Sequence, residues 1–261
     1  MQFDPILPSH AIERCAVTIT FNEALPEKLF QLTLTQHEQG IIKSGLLKKT
    51  TPNVGFVIDV ATGNVTRGDE AMAPRTFSTL DDSTQLTLFP NAIVFVTTAY
   101  LRWKQFLDHF LAVATDALNS FSNNLTAKTV KVEVWDRFLW DGAWEDLRYE
   151  LLFKKECPYI VPFALKSPKE WHSHTGWFES VVNQGRRLVN INVDVIEVVS
   201  NRDGQKHPSV GIYTFMQDEL GGDAPFNVDD RLCGLHVALK KLFGELVTDE
   251  IKNRVGLGSV Q

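Results

Sequence analysis

The clearest pattern in the chain is a helical repeat of apolar residues near its middle. Between positions 100 and 121, apolar residues recur every three or four positions, with charged and amide residues between them. This spacing gathers the apolar side chains into one wide stripe along a helix. The stripe consists of Trp103, Phe106, Leu107, Phe110, Leu111, Ala114, Leu118 and Phe121. The pattern therefore predicts a long amphipathic helix over residues 100–121.

A second amphipathic helix is predicted near the end of the chain, over residues 229–251. Asp229 and Asp230 stand at its start, where the helix dipole favours carboxylates. Its apolar stripe consists of Leu232, Leu235, His236, Leu239, Leu242, Phe243 and Leu246. We expect both long helices to bury their stripes against the rest of the fold.

The stretches before each long helix alternate between apolar and polar residues, which is typical of half-buried strands. The predicted strands lie at residues 15–21, 55–60, 85–89, 92–97, 130–135, 188–199 and 210–216. A hairpin turn is predicted at 61–64, and Pro26 favours the start of a shorter helix. Strands in runs, with helices set apart from them, predict an α+β fold with antiparallel β-sheets.

The segment between positions 149 and 170 gives weaker signals. Two short apolar runs, 149–154 and 159–165, flank Pro158 and predict short strands. The sequence Ser167-Pro-Lys-Glu170 has the spacing of a capping box, with Ser167 as N-cap, and predicts a short helix just before the histidine-rich segment that begins at Trp171.

Each half of the chain is thus predicted to be β-rich and to end in one long helix. The halves are residues 1–125 and 126–261, and their shared element order is compatible with a diverged duplication. We see no Gly/Ser-rich linker near position 125, so we expect the two halves to pack as one unit.

Composition narrows the functional class. The chain is 44% apolar and 22% charged, which is ordinary for a globular protein, and its net charge is −6. An acidic chain lacks the broad basic face of a nucleic-acid-binding protein, so nucleic acid is not the expected partner.

The cysteines and the chain start predict a cytoplasmic protein. Cys15, Cys157 and Cys233 are odd in number and far apart, so neither a disulfide framework nor a zinc knuckle is indicated. We see no signal peptide at the first residues and no apolar stretch long enough to span a bilayer.

Four common catalytic signatures are absent from the sequence: the P-loop, the dinucleotide-binding glycine motif, G-x-S-x-G and H-E-x-x-H. Their absence lowers the expectation of nucleotide hydrolysis, of redox chemistry on a nicotinamide or flavin, and of two hydrolase classes. We therefore predict no cofactor, and we lean against an enzyme.

The sequence Trp171-His-Ser-His-Thr-Gly-Trp-Phe-Glu179 carries the densest set of potentially reactive side chains. His172 and His174 are two positions apart, so an extended chain places both imidazoles on one face, where they could chelate a metal ion. Asp136, Glu179 or Asp194 could supply a further ligand. His172, His174 and Glu179 are thus candidate catalytic residues, and the two histidines are candidate metal ligands.

A structural interpretation of this segment is favoured over the metal site. In it, the aromatic residues Trp171, Trp177 and Phe178 pack inward and the two imidazoles form hydrogen bonds to backbone groups. A His-x-His pair alone is a weak indicator of a metal, so the sequence does not predict a bound metal ion.

A second cluster, residues 135–144, contains three tryptophans beside an acidic and a basic residue. Aromatic residues and arginine are typical anchors of protein interfaces, although the same residues could form a core layer with an ion pair at its edge. The candidate binding residues from both clusters are Asp136, Arg137, Trp140, Trp144, Trp171 and Trp177.

Three segments give the chain a family resemblance. They are Phe89-Pro-Asn-Ala-Ile-Val-Phe-Val-Thr-Thr-Ala-Tyr100, the Trp103-x-x-Phe106 start of the long helix, and the ending Leu235-His-Val-Ala-Leu-Lys-Lys-Leu-Phe-Gly-Glu-Leu-Val-Thr-Asp249. Together they resemble a sporadically distributed prokaryotic family of about this length with no assigned function. The resemblance implies no catalytic residue, and the patchy distribution implies a link to defence or mobile genes.

The sequence therefore predicts a non-enzymatic cytosolic protein-binding component, for which the resemblance implies a prokaryotic defence or mobile-element system as the setting. Its partner would be another protein or a second copy of the chain. Two alternatives stay open: a metal-dependent hydrolase or nuclease that uses His172 and His174, and a protein that binds a small ligand between sheet and helices.

Overall fold

The computed structural model describes residues 1–49, 56–58, 65–67, 72–167, 169–181, 185–200, 202–221 and 227–257, with the backbone alone for the two three-residue pieces. The strands are β1 (Phe3–Pro5), β2 (Ile12–Phe21), β3 (Leu47–Lys48), β4 (Phe56–Ile58), β5 (Val65–Arg67), β6 (Arg75–Ser78), β7 (Thr84–Phe89), β8 (Ala92–Thr97), β9 (Ala127–Trp140), β10 (Trp171–Val181), β11 (Gly185–Val199) and β12 (Lys206–Glu219). The helices are α1 (Glu27–Lys43), α2 (Trp103–Ser122), α3 (Val228–Leu246) and α4 (Asp249–Arg254).

The strands of both halves belong to one large antiparallel sheet, which corrects the prediction of separate sheets. The strand order is β10-β11-β12-β9-β2-β8-β7-β6-β3, with β1 paired to β9, while β4 and β5 form a small sheet of their own. The α+β fold class is confirmed. None of the helices in the described part of the chain is both long and apolar enough to cross a membrane.

The chain divides into two compact units. The N-terminal unit consists of residues 16–130 and 220–226, and the C-terminal unit consists of residues 1–15, 131–219 and 227–261. The boundaries fall inside β2 and β9, so each of these strands contributes residues to both units.

In the N-terminal unit, α2 buries its apolar stripe against β8. The ring of Phe95 lies 5.4 Å from the ring of Phe106 and 5.7 Å from that of Phe110. The helix begins at Trp103 and ends at Ser122. Pro26 stands immediately before α1, as expected for a residue that fixes its backbone angle without donating a hydrogen bond.

In the C-terminal unit, α3 covers one face of the strands β9 and β12. Phe243 of α3 stacks on Phe138 of β9 with ring centroids 6.4 Å apart. The residues of β11 on this face are buried and β-branched: Val189, Ile191, Val193 and Val195. Alternate positions of each strand therefore form the core of this unit, because side chains point to opposite faces in turn.

The last predicted helix is interrupted. The structure has α3 to Leu246 and a separate α4 from Asp249, rather than one helix to residue 251. Val247 forms a β-bridge with Phe153, and the Thr248 hydroxyl caps α4 by accepting from the Ile251 amide at 3.4 Å. Two β-branched residues and a side-chain cap thus end one helix and begin another.

The segment from 149 to 170 differs from its prediction. Short 3₁₀ turns occupy Tyr149–Leu151 and Ala164–Lys166 in place of two strands. No helix begins at Lys169, and Glu170 instead accepts a hydrogen bond from the Glu197 amide at 3.2 Å. The predicted hairpin turn at 61–64 lies outside the described residues, although β4 and β5 on either side of it are paired.

Candidate functional site

The C-terminal unit presents a sheet surface on the side away from α3, which we call the open face. It consists of the odd-numbered residues 131–137 of β9, the even-numbered residues 172–178 of β10 and 188–194 of β11, and the odd-numbered residues 209–215 of β12. The strand registers place these residues together: Asn192, for example, pairs with His174 on one side and with Tyr213 on the other. The open face is therefore one continuous surface across four strands.

Aromatic rings form a stack across β9 and β12 on the open face. The Trp135 ring stacks on Tyr213 with centroids 4.5 Å apart, and Tyr213 lies 5.7 Å from Phe215. The Arg14 guanidinium lies 4.7 Å over Trp135, and the Lys131 ammonium lies 5.4 Å from the Phe215 centroid. Cation–π contacts thus hold both ends of the stack.

The Tyr213 phenol is fixed by a carboxylate. Its hydroxyl donates to Glu133 at 2.5 Å, and Lys131 forms an ion pair with the same carboxylate at 2.9 Å. Burial raises the pKa of Tyr213 above its usual value, and the neighbouring Glu133 raises it further. The phenol therefore stays protonated, and its hydrogen bond to Glu133 fixes the orientation of the Tyr213 ring.

A charged network lies beside the stack, around Arg137. The Arg137 Nε donates to Glu13 at 2.9 Å, and Nη1 donates to the Ser209 hydroxyl at 3.1 Å and lies 3.6 Å from Asp194. Gly211 makes this arrangement possible, since a Cβ there would lie 2.7 Å from the Asp194 Oδ1. The missing side chain leaves room for the Asp194 carboxylate on the open face.

The amides of Asn190 and Asn192 lie next to these groups. The Asn190 Nδ2 donates to the Nε2 of His174, while the side-chain oxygens of both asparagines are buried and have no hydrogen-bond partner among the described residues. Asn190 as a whole is only 6% exposed. These oxygens are the unsatisfied polar atoms of the open face.

The predicted histidine pair lies on the open face, in strand β10. His172 and His174 are both exposed, and Asp194 is the cross-strand partner of His172. Glu179 belongs to the opposite face, where it lies 3.7 Å from Arg187. Within the described part of the chain, no three or more His, Cys, Asp or Glu side chains are grouped so that they could hold a metal ion.

Three of the predicted binding tryptophans have structural roles on other surfaces. Trp140 is fully buried and its indole donates to the Ala143 carbonyl at 3.2 Å. Trp171 donates to the Tyr149 hydroxyl at 2.9 Å, and Trp177 stacks on Tyr159 at 5.2 Å. Trp144 begins the 3₁₀ turn Trp144–Asp146.

Strand alternation also separates Asp136 from Arg137. Arg137 is on the open face, whereas Asp136 points to the face under α3 and is 7% exposed. Burial raises the pKa of the Asp136 carboxyl to about 8. The structure therefore does not gather the six candidate binding residues into one pocket.

The residues that the structure brings together instead are Trp135, Asn190, Asn192, Tyr213 and Phe215. The sequence does indicate this surface. In their strands, these residues alternate with largely apolar ones, and they are amides and aromatic residues rather than the charged residues typical of a solvated face.

Comparison with protein-family models and with curated proteins identifies no relative of this chain. No protein-family model matches the chain, and no curated protein matches its sequence at a significant level. The family resemblance noted in the sequence stays a prediction.

Proposed function

We propose that the chain is a non-enzymatic, cytosolic protein-binding component and that the open face of the C-terminal unit is its binding surface. The observation that carries the proposal is the stack of Arg14, Trp135, Tyr213, Phe215 and Lys131 on the sheet surface opposite α3. Tryptophan, tyrosine and arginine are the residues most enriched among the energetic centres of protein interfaces.

The charges of this surface favour protein over nucleic acid as the partner. Arg137, Lys131 and Arg186 are each paired with a carboxylate, at 2.9 Å, 2.9 Å and 2.8 Å respectively, and the Arg14 guanidinium lies over the Trp135 ring. Phosphate binding requires cations that are available for the backbone of the nucleic acid. A second copy of this chain would equally be a protein partner.

The halves of the chain are further proposed to be a diverged duplication. Each half has one strand that is followed, later in the chain, by three antiparallel strands and a long helix. Counted outward from its first strand, the order is β2-β8-β7-β6 in one half and β9-β12-β11-β10 in the other. Membership of a prokaryotic defence or mobile-element system is the wider proposal and rests on the family resemblance alone.

Site-specific photo-crosslinking tests the binding proposal. A photoreactive phenylalanine analogue replaces Phe178, which is 55% exposed on the open face, in cells that naturally produce the chain. The matched control places the same analogue at Val237, which is 66% exposed on α3. We expect one dominant protein adduct from position 178 and a much weaker one from position 237, because the interface excludes the helix.

Two outcomes oppose the proposal. Position 178 could give no protein adduct, or both positions could give the same adducts in equal yield, as random collision would. In the first case the open face has no protein partner. In the second case the partner does not bind the open face in preference to α3.

A metal-dependent hydrolase or nuclease is the second candidate. Its support is that His172 and His174 share the open face with Asp194, the cross-strand partner of His172, although the three side chains are not grouped closely enough to hold a metal ion. The metal content of the purified chain discriminates between the two proposals, since a hydrolase of this kind retains a metal ion that His172→Ala and His174→Ala together remove.

A further inference from the structure

The open face contains two matched acceptors that lack donors. Asn190 and Asn192 occupy successive same-face positions of β11, so their side chains leave the strand about 7 Å apart. The side-chain oxygens of both are buried without a hydrogen-bond partner in the described part of the chain. A buried acceptor without a donor is unfavourable, and in a native structure it requires a partner such as an ordered water or a group of a bound molecule.

The two amides are flanked by different residues on the neighbouring strands β10 and β12. On the β10 side, Gly176 has no side chain, and a Cβ there would lie 3.2 Å from the Asn190 Nδ2. On the β12 side, Phe215 and Tyr213 are the cross-strand partners of Asn190 and Asn192. The acceptors thus lie between the backbone of Gly176 in the edge strand and a wall of aromatic rings.

The charges around the acceptors indicate an uncharged donor. Asp194 lies 3.6 Å from Arg137, and Glu133 accepts from Tyr213 and pairs with Lys131. These carboxylates are already matched by cations, so a cationic ligand finds no free counter-charge beside the asparagines. The unsatisfied groups are neutral amide oxygens, which complement neutral N–H donors.

The spacing of the acceptors selects one kind of donor. In an extended polypeptide, every second backbone N–H points to the same side, and these groups are about 7 Å apart. Asn190 and Asn192 have the same spacing along β11. We infer that the open face binds an extended peptide segment of its partner, and that Asn190 and Asn192 accept hydrogen bonds from two backbone N–H groups two residues apart.

This inference rests on the proposed protein-binding function and names the form in which the partner is recognised. Binding requires the exposed imidazole of His174 to turn away from Asn190, so that both amide oxygens can rotate toward the peptide. The peptide then runs along β11, with its side chains against Tyr213 and Phe215 on one flank.

The test uses the full-length chain and a display library of random linear peptides. Peptides that bind are synthesised, and each backbone nitrogen is methylated in turn. We expect methylation at two positions, two residues apart, to weaken binding about tenfold each, because each methyl group removes one donor. Methylation elsewhere changes affinity less than about threefold.

Variants of the chain connect these donors to the two asparagines. Asn190→Ala and Asn192→Ala each weaken binding of the unmethylated peptide about tenfold. In each variant, one of the two methyl groups no longer reduces the affinity, because its acceptor is already missing. Asn119→Ala, on the exposed side of α2, is the matched control and leaves affinity unchanged. The methylation series uses the unaltered chain, so it stands even where an asparagine variant folds poorly.

The outcomes separate the inference from the function on which it rests. Methylation losses at no position or at adjacent positions, or a library without binders, overturn the inference, while the crosslink from position 178 still supports protein binding. Peptides whose affinity is unchanged by Trp135→Ala bind elsewhere on the chain and overturn the inference too. A single-stranded oligonucleotide that binds more tightly than any peptide overturns both.

Discussion

The sheet strands of the two units carry similar residues under their helices and different residues on the opposite face. Under the helices, both units bury apolar side chains such as Ile93 and Phe95 in β8 or Val210 and Ile212 in β12. Away from the helix, β7 and β8 carry only Gln, Thr, Phe, Ala and Val, whereas the open face carries amides, histidines, paired charges and a ring stack. The covered face specifies the fold, and the other face distinguishes the units.

A second difference follows the first strand of each half. In the N-terminal unit, β2 leads into the regular helix α1. In the C-terminal unit, β9 leads into a long connection with three 3₁₀ turns, whose residues Tyr149 and Tyr159 pack against Trp171 and Trp177 of β10. The strand that carries the histidines is thus supported from its other face by tyrosines.

The largest effect should come from the buried ion pair of the C-terminal unit. Asp218 holds Arg187 by two hydrogen bonds of 2.6 Å and 3.1 Å, and the two side chains are 1% and 9% exposed. Asp218→Ala leaves a buried guanidinium without its main partner, so we expect the free energy of unfolding to fall by about 3–5 kcal/mol in urea titrations.

The matching pair in the N-terminal unit is exposed. Lys104 and Asp108 are 85% and 58% exposed, and Asp108→Ala should cost no more than about 0.5 kcal/mol. The double variant Arg187→Leu/Asp218→Leu should recover most of the lost stability. Equal losses for Asp218→Ala and Asp108→Ala would remove the distinction between the units.

The next effect depends on pH and comes from Asp136. Its folded-state pKa of about 8 lies above the ordinary value of 3.8, so folding binds a proton that the unfolded chain releases. The folded state therefore loses stability as pH rises from about 4 to about 8. Asp136→Asn removes this dependence, and its advantage over the natural chain should grow by about 1.4 kcal/mol between pH 6 and pH 7.

Urea unfolding at several pH values measures this difference. Asp116→Asn, at an exposed position of α2, serves as the control and should show no such trend. If the difference in unfolding free energy between Asp136→Asn and the natural chain is constant across this pH range, the Asp136 carboxyl ionises at its ordinary pKa in the folded state.

The smallest effects concern two glycines. Gly211 leaves room for Asp194 on the open face, so Gly211→Ala should push that carboxylate away from Arg137 and lower stability by about 1 kcal/mol. Gly40 lies inside α1, where a Cβ would meet nothing within 4 Å, and Gly40→Ala should raise stability by about 0.5–1 kcal/mol. We expect the melting temperature to fall in Gly211→Ala and to rise in Gly40→Ala. Shifts of the same sign in both variants would contradict this difference between the two glycines.

Periodic elements were predictable from the sequence because their burial is itself periodic. The stripe from Trp103 to Phe121 predicted α2, and the alternation through Val189–Val195 predicted β11. Two short apolar runs around Pro158 were predicted as strands and are turns, since a short run does not discriminate between these states. The end of α3 depended on contacts of Val247 and Thr248 with residues almost a hundred positions away.

The site was only partly predictable, because side-chain partners depend on register between distant strands. The shared face of His172 and His174 followed from their spacing, but their neighbours Asn190 and Asp194 followed from the pairing of β10 with β11. Neighbours in sequence were misleading: Asp136 and Arg137 are adjacent in the chain and lie on opposite faces of β9.

The position of Trp135 has an optical consequence. The chain has six tryptophans, all within the described residues, and Trp135 is the one on the open face, between Tyr213 and the Arg14 guanidinium. The emission of an indole responds to the polarity and the charges around it. An occupant of the open face therefore changes the fluorescence of one identifiable residue, and Trp135→Phe gives the background from the other five without any attached label.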